Sequence, residues 1–226
     1  MVKSIVLLSG GMDSAVTLAI AKNESDEIFA LHLNYGQKTQ DKELKSYLDL
    51  CDYYSIKNRL IVDIKYLLNI GGSSLTDTNM EVQKANLESH SVPNSYVPFR
   101  NANILTIATS WAEVINAQNI YIGAVQEDGS GYPDTRGEFF KSFEETANLG
   151  TKPETSISIK TPIIKLTKKE IIQKGIELNV PLELTYSCYK SNDVACGECD
   201  SCAYRLRGFR MAGIEDPIVY KSRPKY

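Results

Sequence analysis

Short apolar runs alternate with helix-period segments along this chain, and no other feature limits its possible folds as much. The apolar runs predict strands at 4–8, 28–34, 59–64 and 119–125. Apolar residues at helical spacing predict helices at 14–22, 41–54, 101–117, 138–149 and 168–179. Strands that alternate with helices in this way form a mostly parallel sheet. The predicted fold class is therefore α/β with a Rossmann-like, mostly parallel sheet.

The length and the net charge of the chain limit its domain organisation and its partners. A chain of 226 residues suits one domain with at most a small appendage. The net charge of -3 offers no electrostatic attraction to nucleic acid. The apolar run before Ser9 is too short for a signal peptide or a membrane span. We therefore predict a cytoplasmic protein without a nucleic-acid or membrane partner.

The string SGGMDS at residues 9–14 lies between the first predicted strand and the first predicted helix. Two glycines allow a sharp turn that presents N–H groups to phosphate oxygens, and the helix N-terminus also favours anions. Ser9 and Ser14 can add hydroxyl donors, and Asp13 can orient the loop or help to hold magnesium. The string lacks the ending of a Walker A loop, which disfavours transfer of the γ-phosphate. The alternative is a plain turn in which Asp13 or Ser14 is the N-cap.

Four of the five cysteines form a C-x7-C-x2-C-x2-C array, made of Cys188, Cys196, Cys199 and Cys202. In a reducing compartment this spacing predicts metal ligands rather than disulfides. C-x2-C knuckles can direct four thiolates to one tetrahedral zinc ion, so we predict one structural zinc per chain. An iron–sulfur cluster is the first alternative, although ferredoxin motifs take their fourth cysteine after the run. Free thiols are the second. Cys51 lies on the apolar face of a predicted helix and is interpreted as a core residue.

Several strings together resemble one branch of the PP-loop ATP pyrophosphatases, the 7-cyano-7-deazaguanine synthases of queuosine precursor biosynthesis. They are SGGMDS (9–14), NYGQK (34–38), YVPFRNANILTIATSWAE (96–113), GAVQEDGSGYPDTR (123–136), TPIIKLTKKEI (161–171) and SCYKSNDVACGECDSCAYRLRGF (187–209). The resemblance departs at Phe99, where many members have glycine, and at Thr39, where a histidine is common. A bulky residue at position 99 could reshape the pocket wall, and the sequence leaves the effect of Phe99 open.

This resemblance implies a fold of the adenine-nucleotide alpha-hydrolase type. An ATP-binding domain would span 1–180, with a zinc-binding helical extension of the same domain at 181–226. The implied reaction adenylates 7-carboxy-7-deazaguanine with Mg-ATP, lets ammonia displace AMP, and dehydrates the resulting amide to a nitrile with a second ATP. The implied assembly is a homodimer. The alternatives are a PP-loop enzyme that thiolates tRNA and a zinc-stabilised nucleotide-binding module without catalysis.

The resemblance also implies roles for individual residues. The catalytic set is Ser9, Asp13, Ser14 and Lys168, and Lys165 is the alternative lysine. The implied ATP-binding residues are Leu8, Ser9, Gly10, Gly11, Met12, Asp13, Ser14, Ala15, Val16, Thr17, Leu18 and Arg100. The implied deazapurine-binding residues are Ser130, Tyr132, Asp134 and Arg136. The competing interpretation of these last residues is that GYPD only forms a turn.

Overall fold

The structure, a computed structural model, describes residues 1–89, 91–126 and 131–226. A parallel sheet with the strand order β3-β2-β1-β4-β5 lies at its centre. The strands are β1 (Lys3–Leu7), β2 (Glu27–Asn34), β3 (Asn58–Asp63), β4 (Asn119–Ile122) and β5 (Ser158–Lys160). The predicted α/β class with a parallel sheet is confirmed.

Helices cover both faces of this sheet. They are α1 (Met12–Glu24), α2 (Gln40–Tyr53), α3 (Tyr66–Ile70), α4 (Arg100–Ile115), α5 (Gly137–Gly150), α6 (Lys168–Glu177) and α7 (Asp200–Ala212). The predicted strands and helices are found within a few residues of their predicted ends. Strand β5 and helix α3 are absent from the predicted elements, because three and five residues are too short for a periodic pattern.

The central strand β1 is buried on both faces, which explains its continuous apolar run. Ile5 and Leu7 belong to the core that contains Leu105 of α4. Val6 belongs to the opposite core, with Val16 of α1. Each such aliphatic side chain contributes about 1.5–3 kcal/mol when it is fully buried. This two-sided burial fixes the position of the loop that leaves β1.

The order of the strands reverses at β1, which pairs with β2 on one side and with β4 on the other. Connections leave the two sides of such a point on opposite faces and open a crevice at the carboxyl ends of the strands. Gly123 follows β4 at this crevice. A Cβ atom on Gly123 would lie 2.9 Å from the backbone of Asp13, so the absent side chain permits the contact between the two elements. The SGGMDS loop therefore lies at the ligand-binding edge of the sheet.

The C-terminal segment packs against the sheet domain beside this edge. A Cβ atom on Gly208 of α7 would lie 2.8 Å from Cβ of Lys168, so α6 and α7 are in close contact. Arg205 and Asp216 form a fully buried ion pair, with Nε 2.8 Å from Oδ2, that holds the tail against α7. Across the described ranges, no helix is both long and apolar enough for a membrane span.

Candidate active site

The loop between β1 and α1 has the backbone geometry of an anion-binding site. Gly10 has a φ of +87°, and a Cβ atom there would lie 2.6 Å from the carbonyl oxygen of Glu43. Gly11 is the N-cap of α1 and makes no side-chain capping bond, so first-turn N–H groups are available to an anion. The alternative that Asp13 or Ser14 is the N-cap is wrong, because both residues lie inside the first turn.

Two serine hydroxyls meet at the same loop. Ser9 Oγ lies 3.1 Å from Ser14 Oγ, and the Ser14 hydroxyl donates to the carbonyl oxygen of Gly11 at 2.9 Å. The C-terminal segment fixes the loop from behind, since the N–H of Tyr186 donates to the carbonyl oxygen of Gly10 at 2.9 Å. The loop is thus held in shape before any ligand binds.

Asp13 and Lys168 form an ion pair at the edge of this loop, with Nζ 2.6 Å from Oδ2. Lys168 is the first residue of α6, and a capping box between Thr167 and Glu170 fixes the start of that helix. The second carboxylate oxygen of Asp13, Oδ1, is buried and has no hydrogen-bond partner within the described ranges. A carboxylate oxygen of this kind is a typical magnesium ligand.

Two adjoining cavities open at this edge of the sheet. The phosphate-loop cavity has a volume of about 230 Å³ and is lined by Ser9, Gly11, Ser14, Leu31 and Leu33, among others. The lysine cavity has a volume of about 180 Å³ and is lined by Val125, Tyr132, Thr135, Lys168 and Tyr204, among others. Their common wall consists of Met12, Asp13, Arg100, Asn101, Ile122, Gly123, Ser187, Tyr189 and Ser201. The loop, the ion pair and both cavities therefore form one site.

Arg100 places a positive charge in the common wall. Its NH1 donates to the hydroxyl of Tyr35 at 3.0 Å, and its guanidinium lies 5.2 Å from the Tyr35 ring and 5.9 Å from the Tyr132 ring. Burial raises the pKa of Tyr35, so this phenol stays neutral at physiological pH. The guanidinium remains charged, as arginine does in proteins, and is suited to a phosphate or a carboxylate.

The four clustered cysteines form a second centre beside the cavities. The sulfur atoms of Cys188, Cys196, Cys199 and Cys202 all lie within 4.8 Å of one another, and those of Cys196 and Cys202 are 3.9 Å apart. Four sulfurs bonded to one zinc ion at about 2.3 Å in a tetrahedron are about 3.8 Å apart. Backbone N–H groups donate to two of the sulfurs at 3.3 Å. The donor set and its spacing therefore fit a closed metal site.

Similar known proteins show the family to which the chain belongs. A family model described as "Queuosine biosynthesis protein QueC" matches residues 3–213. The chain belongs to the QueC family. A 7-cyano-7-deazaguanine synthase of Chlorobium chlorochromatii is 58% identical over 224 residues, which cover 99% of this chain and 98% of the relative. The synthase of Chloroherpeton thalassium is also 58% identical, with 99% of both chains covered. The resemblance stated from the sequence is confirmed.

A solved structure supports the fold alone. The U34-tRNA thiolase NcsA of Methanococcus maripaludis, determined with its 4Fe-4S cluster, is 18% identical and has a TM-score of 0.50. The alignment covers 80% of this chain, which spans only 57% of the thiolase chain. In this QueC-family chain, the cysteine outside the metal cluster is Cys51, which is fully buried, and burial raises its pKa to about 11. A buried thiol of this kind is a poor sulfur carrier, so the thiolation alternative is not favoured.

The residues implied to bind ATP divide into two groups in the structure. Leu8, Ser9, Gly11, Met12, Asp13, Ser14 and Arg100 line the phosphate-loop cavity. Gly10, Ala15, Val16, Thr17 and Leu18 do not line it. Ala15, Val16 and Leu18 pack in the core below the loop, and the Thr17 hydroxyl donates to the carbonyl oxygen of Asp13 at 2.9 Å. This second group supports the loop from inside the fold.

The residues implied to bind the deazapurine also differ in whether they line a cavity. Tyr132 lines the lysine cavity, whereas Asp134 and Arg136 line neither cavity. Asp134 is buried, and its Oδ2 accepts a hydrogen bond from the N–H of Asn101 at 2.8 Å, so this carboxylate fixes the start of α4. Arg136 is exposed at the N-cap of α5. Ser130 lies outside the described residues. Of the two candidate lysines, Lys168 lines the site and Lys165 is exposed.

Phe99, where the sequence departs from the family pattern, adopts a left-handed backbone with a φ of +56°. Its side chain is 60% exposed and contacts the ring of Phe139, and it lines neither cavity. Phe99 therefore forms no part of the walls of these two cavities. Family glycines at this position suit the positive φ, because glycine adopts it without strain.

The sequence analysis missed several residues that line the cavities, among them Tyr35, Glu43, Ser187, Tyr189 and Ser201. Glu43 accepts hydrogen bonds from Thr39 Oγ1 at 2.6 Å and from Gln37 Nε2 at 3.1 Å, and burial raises its pKa. Two signals pointed to this group. The NYGQK string begins at Asn34, the last residue of β2, and Ser187 and Tyr189 flank the predicted metal ligand Cys188.

Proposed function

We propose that this protein is a 7-cyano-7-deazaguanine synthase, which converts 7-carboxy-7-deazaguanine and ammonia to the nitrile with two molecules of ATP. One observation carries the proposal beyond family membership. A phosphate-binding loop and a second cavity share a wall that contains Asp13 and Arg100. A substrate carboxylate in the lysine cavity can therefore reach the α-phosphate of ATP in the phosphate-loop cavity.

The chemistry begins with a carboxylate, which is a poor electrophile until one of its oxygens becomes part of a leaving group. In the first step the carboxylate attacks the α-phosphorus, the bond to the β-phosphate breaks, and pyrophosphate leaves. The first-turn N–H groups of α1, Lys168 and Arg100 stabilise the charge that develops on the phosphates. Ammonia then attacks the acyl carbon, AMP leaves, and the surplus proton passes to solvent.

The second cycle takes place in the same active site, with the amide as its substrate. The amide oxygen attacks a second ATP, pyrophosphate leaves, and the amide nitrogen loses its first proton. Cleavage of the bond between carbon and oxygen then releases AMP, while loss of the second proton completes the carbon–nitrogen triple bond. In both cycles negative charge develops on the phosphate oxygens of an ATP molecule bound in the same place. One set of donors therefore serves both cycles.

Two metal ions belong to this proposal. Asp13 Oδ1 and the phosphates of ATP would hold magnesium, which neutralises the leaving pyrophosphate when it is bound. The four cysteines would hold one zinc ion, which with four protein ligands has no open position and is structural. Burial of three of these cysteines and their link to the C-terminal tail support a structural role.

The decisive experiment is a reaction with ATP, magnesium, ammonium and 7-carboxy-7-deazaguanine. We expect AMP, pyrophosphate and a nitrile, identified by mass spectrometry. An amide as the final product would exclude the second cycle, and no turnover of the deazapurine would exclude the substrate. If Asp13→Asn left all turnover intact, the site would not use the ion pair and the proposed role of Asp13 would be wrong.

The assembly and the location of the protein remain proposals from the resemblance. We propose a homodimer and a cytoplasmic protein, with ammonia supplied from solution. Light scattering coupled to gel filtration should give twice the chain mass of 25.2 kDa. A monomer at micromolar concentration would contradict the dimer.

A further inference from the structure

Tyr189 links the metal centre to the active site. It follows Cys188 directly, and the N–H groups of Lys190 and Cys196 both donate to the Cys188 sulfur at 3.3 Å. These bonds hold the backbone of Tyr189 in a tight loop around one metal ligand. The side chain of Tyr189 then extends into the common wall of the phosphate-loop cavity and the lysine cavity.

Aromatic side chains and the guanidinium of Arg100 line the cavities beside Tyr189. Tyr189 lines the phosphate-loop cavity together with Tyr35 and Arg100, and it lines the lysine cavity together with Arg100 and Tyr132. Tyr189 is partly buried, and it packs against the core on the α4 face of the sheet. Tyr132 is fixed from behind, because its hydroxyl donates to Ser95 Oγ at 2.9 Å. The ring of Tyr189 therefore lies in the common wall, with the ring of Tyr35 in one cavity and the ring of Tyr132 in the other.

We propose that Tyr189 contacts the planar deazapurine and orients its carboxylate toward the phosphate loop, a role that rests on the proposed function. A flat heteroaromatic ring packs favourably against an aromatic side chain, by stacking or by edge-to-face contact. The position of Tyr189 in the common wall places this contact next to the reacting group. Recognition of the base then depends on the ring of Tyr189, and its hydroxyl is of secondary importance.

Tyr189→Leu and Tyr189→Phe test this role, with Tyr53→Leu as the matched control. Tyr53 lies on α2 and is 54% exposed, away from both cavities. Loss of one base–aromatic contact predicts a rise of about tenfold or more in the KM for 7-carboxy-7-deazaguanine in Tyr189→Leu. The KM for ATP and the zinc content per chain should match those of the wild type. Tyr189→Phe, which keeps the ring, should restore the KM.

Three outcomes distinguish an error in the role of Tyr189 from an error in the proposed function. An unchanged KM for the deazapurine in Tyr189→Leu would overturn the assignment. Equal rises in both KM values, or loss of zinc, would also overturn it, because Tyr189 would then only support the loop. A wild-type enzyme that forms no nitrile would instead overturn the proposed function, and the role of Tyr189 with it.

Discussion

Lys168 Nζ lies 2.6 Å from Asp13 Oδ2, so an ion pair joins the start of α6 to a phosphate loop 155 residues earlier in the chain. The pair is largely shielded from solvent, with the lysine side chain 11% exposed. Gly208 of α7 packs against the same lysine and holds its backbone in place. The ammonium group of Lys168 is thus positioned by contacts between residues that lie far apart in sequence.

Replacement of this lysine should impair chemistry more than binding. In Lys168→Gln we expect kcat to fall about 100- to 1000-fold, because one preorganised charge at the departing pyrophosphate is lost. Release of pyrophosphate measures the rate. Lys165→Gln, at an exposed lysine of the same segment, is the control and should retain wild-type activity. Equal losses in both variants would contradict a specific role for Lys168.

Gly123 should tolerate no side chain. A Cβ atom there would lie 2.9 Å from the backbone of Asp13, and the nearest atoms cannot move without shifting the phosphate loop. In Gly123→Ala we expect the free energy of unfolding to fall by about 1–3 kcal/mol and the KM for ATP to rise. Gly150→Ala is the control, since a Cβ atom at Gly150 meets nothing within 4 Å. A fully active Gly123→Ala enzyme would contradict the close approach.

We predict that the backbone of Phe99 is strained and that the ring is not the reason for a phenylalanine at this position. A positive φ costs a side chain with a Cβ atom about 1–2 kcal/mol, which glycine avoids. Phe99→Gly should therefore be more stable than Phe99→Ala by about 1 kcal/mol in urea unfolding. Both variants lose the contact with Phe139, so their difference isolates the backbone. Equal stabilities would contradict the left-handed conformation.

His32 should make the fold sensitive to mild acid. Its ring is buried, Nδ1 donates to the carbonyl oxygen of Leu8 at 3.0 Å, and burial lowers its pKa from the ordinary value of 6.5. Below pH 6.5 the unfolded chain gains a proton that the folded protein resists, so the free energy of unfolding decreases as pH falls.

The measurement is urea unfolding at pH 7.5 and at pH 5.5. Between these values we expect the wild type to lose about 1 kcal/mol more stability than His32→Gln, which cannot titrate and can still donate to Leu8. The same pH dependence in both proteins would show that His32 is protonated as easily in the fold as in the unfolded chain.

Metal analysis should find one zinc ion per chain and no iron. Cys199→Ser should lose zinc and solubility before any specific change in the chemistry, because Cys199 is fully buried and begins the turn into α7. Removal of zinc should destabilise the wild type strongly, since binding free energy is also folding free energy at such sites. A brown protein that absorbs near 400 nm would identify an iron–sulfur cluster instead.

The sequence by itself determined the elements, the phosphate loop and the set of metal ligands. These signals are local: β1 is apolar because both of its faces are buried, and the loop glycines and C-x2-C spacings act over a few residues. The same strings are specific enough to identify the family.

Tertiary structure alone decided which side chains meet. The sequence suggested that Asp134 faces a ligand, but the fold turns its carboxylate to the N–H of Asn101. The sequence assigned no role to Tyr189, but the fold places this residue in the wall of the cavity that Arg100 and Tyr132 also line. The physical reason is that contacts between residues 33 to 155 positions apart depend on strand order and helix packing, which no local pattern encodes.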